Sequence, residues 1–174
     1  MRGSLSKPLK RAFEAGLKQL VKKAERVPLP SGTPGSVAWL VGEDERATAH
    51  VILFFHQKTD RFTIELAWSL KKRIPDRNDM MPGKESEIDE LRFRLSRLWQ
   101  PTGFEIWYDL QYDADSPESG PHSFFTPEEP CVQRIPVKVS RALDALKRYG
   151  LPYLVKTVGL PRLDEPPATV GPTR

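Results

Sequence analysis

The sequence predicts an α+β fold: an antiparallel β-meander of about four to five strands with an N-terminal helix and C-terminal helices packed on it. Three observations point there. An amphipathic stretch opens the chain, three segments rich in β-branched and aromatic residues follow with short connectors, and a second amphipathic stretch comes late. At 174 residues, 39% of them hydrophobic and including four Trp and eight Phe, the chain has material for one core. We therefore expect residues 1–159 to form a single domain that includes an acidic, proline-rich loop at 111–130, with 160–174 as a disordered tail.

The first element is a helix over roughly residues 7–26, where Leu9, Phe13, Leu17, Leu20, Val21 and Ala24 recur at the spacing of one helical face. Ser6 and Pro8 mark its start, and the three prolines and two glycines of "VPLPSGTPGS" end it. Residues 1–26 hold eight Lys and Arg against two Glu, a net of +6. Lys18, Lys22 and Lys23 are candidates for binding an anion or nucleic acid; the alternative is a solvated helix face that happens to be lysine-rich.

"VAWLVG", "TAHVILFFHQ" and "RFTIELAWS" are the strongest strand signals, joined by "EDERA" and "KTD". The middle segment is apolar on both faces, so it is expected to be central and covered on both sides. His50 and His56 share a face but stand about 20 Å apart along a strand, too far to grip one ion. Asp60 and Glu65 raise the question of a metal nuclease, but Glu65 is followed by Leu66 and Ala67, and Glu105 by Ile106 and Trp107, so the Glu-x-Lys pairing is missing.

A polar connector over 69–90 leads to "LRFRLSRLWQPTGFEIWYDL". The period of residues 88–99 is ambiguous. Leu91, Phe93 and Leu95 alternate as in a strand, whereas Ile88, Leu91, Leu95, Leu98 and Trp99 fit a helix face, and the count leans towards a helix. "FEIWYDL" alternates as a further strand. The arginines pose the main question about function: Arg92, Arg94 and Arg97 either line an anion site or belong to a scaffold.

The order of an N-terminal helix, a meander with "RFTIELAWS", "RFRLSRLW" shortly before "EIWYDL", and a closing "LDALKRYGLPYL" resembles a bacterial family known only as domain-of-unknown-function family 4304. The resemblance spans about residues 8–156 and maps the family's recognisable core onto Arg94, Leu95 and Trp107, with Tyr108 as the adjoining aromatic. It implies no established activity, and it implies a setting among toxin-immunity and phage-defence genes. It also suggests Arg94 as a partly buried guanidinium stacked on an indole and held by a carboxylate.

Residues 109–129 hold six acids and no Lys or Arg, a net of −6. The loop 111–130 carries Asp113, Asp115 and Glu118, then His122, Phe124 and Phe125. Charge steers a basic partner and aromatics anchor it, so these five acidic and Phe residues are the candidate partner-binding set; the alternative is a Phe pair that ties the loop to the core. Thr126 and Pro127 start a helix that Pro130 is expected to cut after one turn. The last helix is expected over about 137–149, with Gly150 as its stop and Pro152 redirecting the chain.

These readings favour a protein-interaction module, an immunity or phage-defence accessory protein that docks a protein partner. The alternatives are a nucleic-acid-binding accessory protein resting on the basic helix and on Lys71, Lys72 and Arg73, with Arg94 as a further anion or nucleic-acid candidate, and an undetected hydrolase resting on His56, Asp60, Glu65 and His122. No cofactor or metal motif is present in the sequence. No apolar run approaches the roughly eighteen residues that cross a bilayer. A lone Cys131 and an N-terminus without an export signal make the cytoplasm the expected compartment.

Overall fold

The computed structural model describes residues 1–30, 35–56, 58–76, 81–83, 88–100, 106–112, 116–117 and 128–158. It is an α+β fold in which helices pack on one face of an antiparallel sheet. Among the described residues no helix is long and apolar enough to cross a membrane.

Helix α1 runs Gly3–Leu20, earlier at both ends than the apolar spacing suggests. Leu5 extends the buried stripe of Leu9, Phe13 and Leu17 by one turn, and Arg2, not Ser6, stands at the N-cap. Pro8 lies inside the helix, where it removes a single N–H near the amino end. Beyond Leu20 the chain leaves the helix because its backbone has a better partner: β1 (Glu25–Val27) pairs antiparallel with β2 (Val37–Glu43), Arg26 opposite Trp39. Val21 and Ala24 stay buried all the same.

The meander continues as expected with β3 (Thr48–Phe55) and β4 (Arg61–Ser69), paired antiparallel along their whole length from Thr48–Ser69 to Phe55–Phe62. Over residues 88–99, where the period is ambiguous and the count leans towards a helix, the structure begins with a strand. Residues Glu90–Arg94 form strand β5, and Leu95–Leu98 form a 3-10 turn. Helical spacing loses here to an available sheet edge: β5 pairs with Glu65–Ser69 of β4. The other end of that edge takes β6 (Ile106–Asp109), with Arg61 opposite Asp109, and β6 pairs with the short β7 (Ser116–Pro117). The path is β1-β2-β3-β4-β6-β7, with β5 beside β6 on β4.

The carboxyl-terminal expectation is corrected. Helix α2 spans Glu128–Ala145, passes through a π-type turn at Leu146–Gly150 and continues as α3 (Leu151–Val158). Pro130 does not end α2, since it lies in the first turn, where backbone N–H groups lack intrahelical acceptors anyway. Pro136 and Val132, whose carbonyl loses its donor, are both exposed to water. Gly150 is a packing residue instead of a stop. A Cβ there would come within 2.7 Å of Leu146 Cδ1 and 2.9 Å of Leu95 Cδ1, so the bare backbone lets the helix lie on the 3-10 turn. The wider π turn falls just ahead of Pro152, whose missing N–H a regular helix resists.

The helices cover one sheet face. Phe13 of α1 meets Trp39 of β2 at 5.4 Å between ring centroids, Phe62 stacks on Tyr108 at 5.1 Å, and Phe93 meets Tyr153 of α3 edge-on at 5.2 Å. Gly16 lets α1 approach Leu143 of α2 where any Cβ would collide with that side chain.

Candidate functional site

Strand alternation sends Phe62, Ile64, Leu66 and Trp68 of β4 to the helices, and sends Arg61, Thr63, Glu65, Ala67 and Ser69 to the opposite face. The same rule puts Arg92 and Arg94 of β5, and Trp107 and Asp109 of β6, on that opposite face. Register then stacks them as rungs. Arg61 lies opposite Asp109, Arg94 opposite Glu65, and Arg92 opposite Ala67, which itself lies opposite His50 of β3.

This polar stripe is buried. Arg61, Glu65, Arg92, Arg94, Asp109 and Trp107 are each at most 4% exposed. Arg61 Nε donates to Asp109 Oδ2 at 2.7 Å, and Arg92 Nε donates to Glu65 Oε2 at 2.7 Å. The guanidinium carbon of Arg94 lies 4.4 Å from the centre of the Trp107 ring, an arginine-on-indole stack. Trp107 also meets His56 edge-on at 5.1 Å and Phe54 at 6.1 Å. Beside this stripe, Ala38, Ile52 and Ala67 form a small apolar cluster under Val27, Leu29 and Ile74. Burial lowers the His50 imidazole to about 4, which favours the neutral ring, and its Nδ1 has no hydrogen-bond partner among the described residues.

At the Arg61 end the stripe joins a knot around Asp60. Its Oδ1 accepts from the Arg2 backbone N–H at 2.9 Å, and its Oδ2 accepts from Arg2 Nε at 2.7 Å and from Gln111 Nε2 at 3.3 Å. The Asp60 carbonyl accepts from the Leu110 N–H at 3.0 Å. Arg2 Nη2 also reaches the Cys131 sulfur at 3.1 Å, and burial pushes that thiol up from its ordinary value. Arg134 Nη1 donates to the carbonyls of Leu110 (3.4 Å) and Gln111 (3.2 Å).

The arginines of "LRFRLSRLW" thus part company. Arg92 and Arg94 are buried, while Arg97 sets Nη1 2.7 Å from the Met81 sulfur. The candidate anion set divides as well. Lys18 donates to Glu14 at 2.7 Å on the exposed side of α1, and Lys22 and Lys23 are exposed in the turn after it. Those lysines belong to the helix side of the molecule, and Arg94 to the opposite sheet face.

Of the residues weighed for hydrolysis, His56 and Asp60 flank the β3–β4 turn, where His56 Nδ1 accepts from the Lys58 N–H at 3.3 Å and contacts Thr59 Oγ1 at 2.8 Å. Glu65 lies farther along β4, engaged with Arg92, and His122 is outside the described residues. Among the described residues no three His, Cys, Asp or Glu side chains gather as metal ligands do. Asp113, Asp115, Glu118, Phe124 and Phe125 also fall outside the described residues. Asp109, counted with the acidic segment in sequence, is an interior residue bound to Arg61.

Sequence reasoning missed the pairing of Glu65 with Arg92 and of Arg61 with Asp109, partners 27 and 48 residues apart. Only the alternation of β4 hinted that its polar residues share one face. Comparison of the chain with protein-family models, with curated proteins and with solved structures finds no match.

Proposed function

We propose that the protein is an interaction module, of the immunity or phage-defence accessory kind, which docks a protein partner through its acidic aromatic segment at 111–130. One observation carries this reading: both flanks of the segment are fastened to the same knot. Leu110 and Gln111 are buried and tied to Asp60, Cys131 is buried against Arg2, and Arg2 grips Asp60. Arg134, one helical turn past Cys131, bonds back to Leu110 and Gln111. A stretch that leaves and rejoins a fold at one rigid place is suited to presenting a binding surface. Its composition, with Asp113, Asp115 and Glu118 ahead of Phe124 and Phe125, suits a basic partner with an apolar pocket. The resemblance to family 4304 supports the same reading.

The test uses the tagged full chain, co-purified from its native host, with the recovered partner then measured by surface binding kinetics. Phe124→Ala with Phe125→Ala is expected to speed dissociation. Asp113→Asn, Asp115→Asn and Glu118→Gln together are expected to slow association and flatten its salt dependence. Full-affinity binding after replacement of 112–127 by a short Gly-Ser linker overturns the reading. A second reading, a nucleic-acid-binding accessory protein, rests on the exposed Lys18, Lys22 and Lys23 at the carboxyl end of α1. It requires affinity for an oligonucleotide that falls steeply with salt and disappears on charge reversal of those lysines.

A further inference from the structure

The chain has four tryptophans, and Trp39, Trp68 and Trp107 are buried. Trp99 is the exception. It stands half-buried just past the 3-10 turn, stacked on the half-buried Tyr149 of the π turn with ring centroids 4.7 Å apart and 30° between the planes. The exposed Arg148 sets its guanidinium carbon 5.6 Å from the centre of the Tyr149 ring. Single π turns of this kind recur at functional sites.

The direction of the helices fixes what else lies at this end. Arg2, ahead of α1, touches Cys131 in the first turn of α2, and Gly16 near the end of α1 abuts Leu143 near the end of α2, so the two helices run side by side in the same direction. Lys22 and Lys23 after α1 and Lys147 and Arg148 after α2 therefore share one end of the helix pair, about one or two turns beyond the contact of Gly16 with Leu143. The Asp60 knot, with the flanks of segment 111–130, lies at the other end. Lys22, Lys23 and Lys147 are exposed and make no ion pair among the described residues. Of the nearby acids, Glu14 is taken by Lys18, which leaves Glu25 and Asp144.

We propose that this end of the molecule binds single-stranded nucleic acid, with an unpaired base added to the stack of Trp99 and Tyr149 and the backbone held by Lys22, Lys23, Lys147 and Arg148, which rests on the nucleic-acid reading above and adds to it the kind of strand and the residues that select it. Stacking asks only for the π face that every base carries, and phosphates supply the negative charge that these cations lack. A duplex keeps its bases stacked inside, so it meets the lysines but not the rings. Trp, Tyr and Arg also anchor protein interfaces, and the excess of positive charge around them is what favours a polyanion here.

The experiment is titration of the full chain with a fluorescein-labelled DNA strand of about twelve nucleotides, and with its duplex, read by anisotropy and repeated unlabelled with tryptophan emission as the readout. The single strand is expected to bind about tenfold more tightly than the duplex and to quench tryptophan emission, which Trp99 is placed to report because the other three indoles are buried. Trp99→Ala is expected to weaken the single strand about tenfold and the duplex much less, with most of the affinity kept in Trp99→Phe. Arg148→Ala, at an exposed position, is the second variant if the first fails to fold, and is expected to weaken the single strand several-fold. Absence of binding to either form overturns the site and the nucleic-acid reading together. Equal affinity for strand and duplex, or single-strand affinity that neither Trp99→Ala nor Arg148→Ala alters, overturns the stacking site while the nucleic-acid reading stands. Loss of a protein partner on Trp99→Ala, with no affinity for the strand, also overturns it and makes the stack a protein contact.

Discussion

Along β4 the two faces of the sheet are both buried, yet they are held together by different physics. Every residue of β4 from Arg61 to Ser69 is buried. On the helix side Phe62, Ile64, Leu66 and Trp68 are excluded from water against apolar neighbours, where attraction is non-directional and volume is what counts. On the other side Arg61, Glu65, Arg92, Arg94 and Asp109 are buried only because partners meet them at hydrogen-bond distance or across an aromatic ring. The first face tolerates reshaping of similar volume and resists truncation. The second resists loss of one partner and tolerates loss of both.

The largest expected effect tests that contrast directly. Phe13→Ala on the helix side removes a fully buried ring facing Trp39 and is expected to cost about 3 to 5 kcal/mol. Glu65→Ala is expected to cost a similar amount, roughly 3 to 5 kcal/mol, because it strands the Arg92 guanidinium in the interior. The difference shows in the second substitution. Glu65→Leu with Arg92→Met should recover most of the loss in denaturant unfolding, since the pair is exchanged for apolar groups of similar size. If the double variant is as unstable as the sum of the single ones, the stripe is not a self-contained ionic unit and the contrast between faces breaks.

How much of this was legible in the sequence follows from range. The fold class, β2, β3, β4 and the buried stripe of α1 are local patterns, set by residues two to four apart, and they appear where period and turn chemistry put them. The period of residues 90–98 stays ambiguous in the sequence because the free edge of β4 is a property of the whole sheet, and no window centred on Leu91 or Leu95 contains it. For a similar reason Gly150 does not end the helix: the helix there is held by packing onto Leu66 and Leu95, which outweighs the local signal, whereas Pro130 is tolerated because it falls in the first turn of α2. Alternation in β4 would assign its polar residues to water. Only the three-dimensional meeting with Arg92 and Asp109 explains their burial.

A second, somewhat smaller effect sharpens the same contrast through pH. Removal from water lowers the His50 imidazole to about 4, whereas in the unfolded chain it takes up a proton near its ordinary value of about 6.5. A depressed value in the folded state means stability is full above about pH 6.5, declines as the pH falls towards 4, and levels off below that. The loss is expected to reach up to about 3 kcal/mol, most of it separable from carboxylate titration by comparing urea unfolding near pH 7 with that near pH 5. His50→Phe should flatten the profile over that interval. A wild-type profile already flat there would mean that His50 is hydrated in the folded state, and that the polar face is wetter than its exposure of 5% indicates.

The smallest effect lies outside both faces and sets the scale for charges that the fold does not enclose. Lys18 and Glu14 are bonded at 2.7 Å, with side chains 53% and 29% exposed, one turn apart and with the acid on the amino side, the favourable order for a helix. The distance matches that of Glu65 with Arg92, and from geometry alone the two pairs look equivalent. Water separates them. Around Lys18 it screens the attraction and solvates either partner left alone, so Lys18→Gln is expected to cost only about 0.3 to 0.5 kcal/mol, and less as salt is added. A loss comparable to that of Glu65→Ala would mean that the pair is as enclosed as the polar stripe. A negligible loss of stability, coupled with lost oligonucleotide binding, would assign this lysine to nucleic acid instead of to the fold.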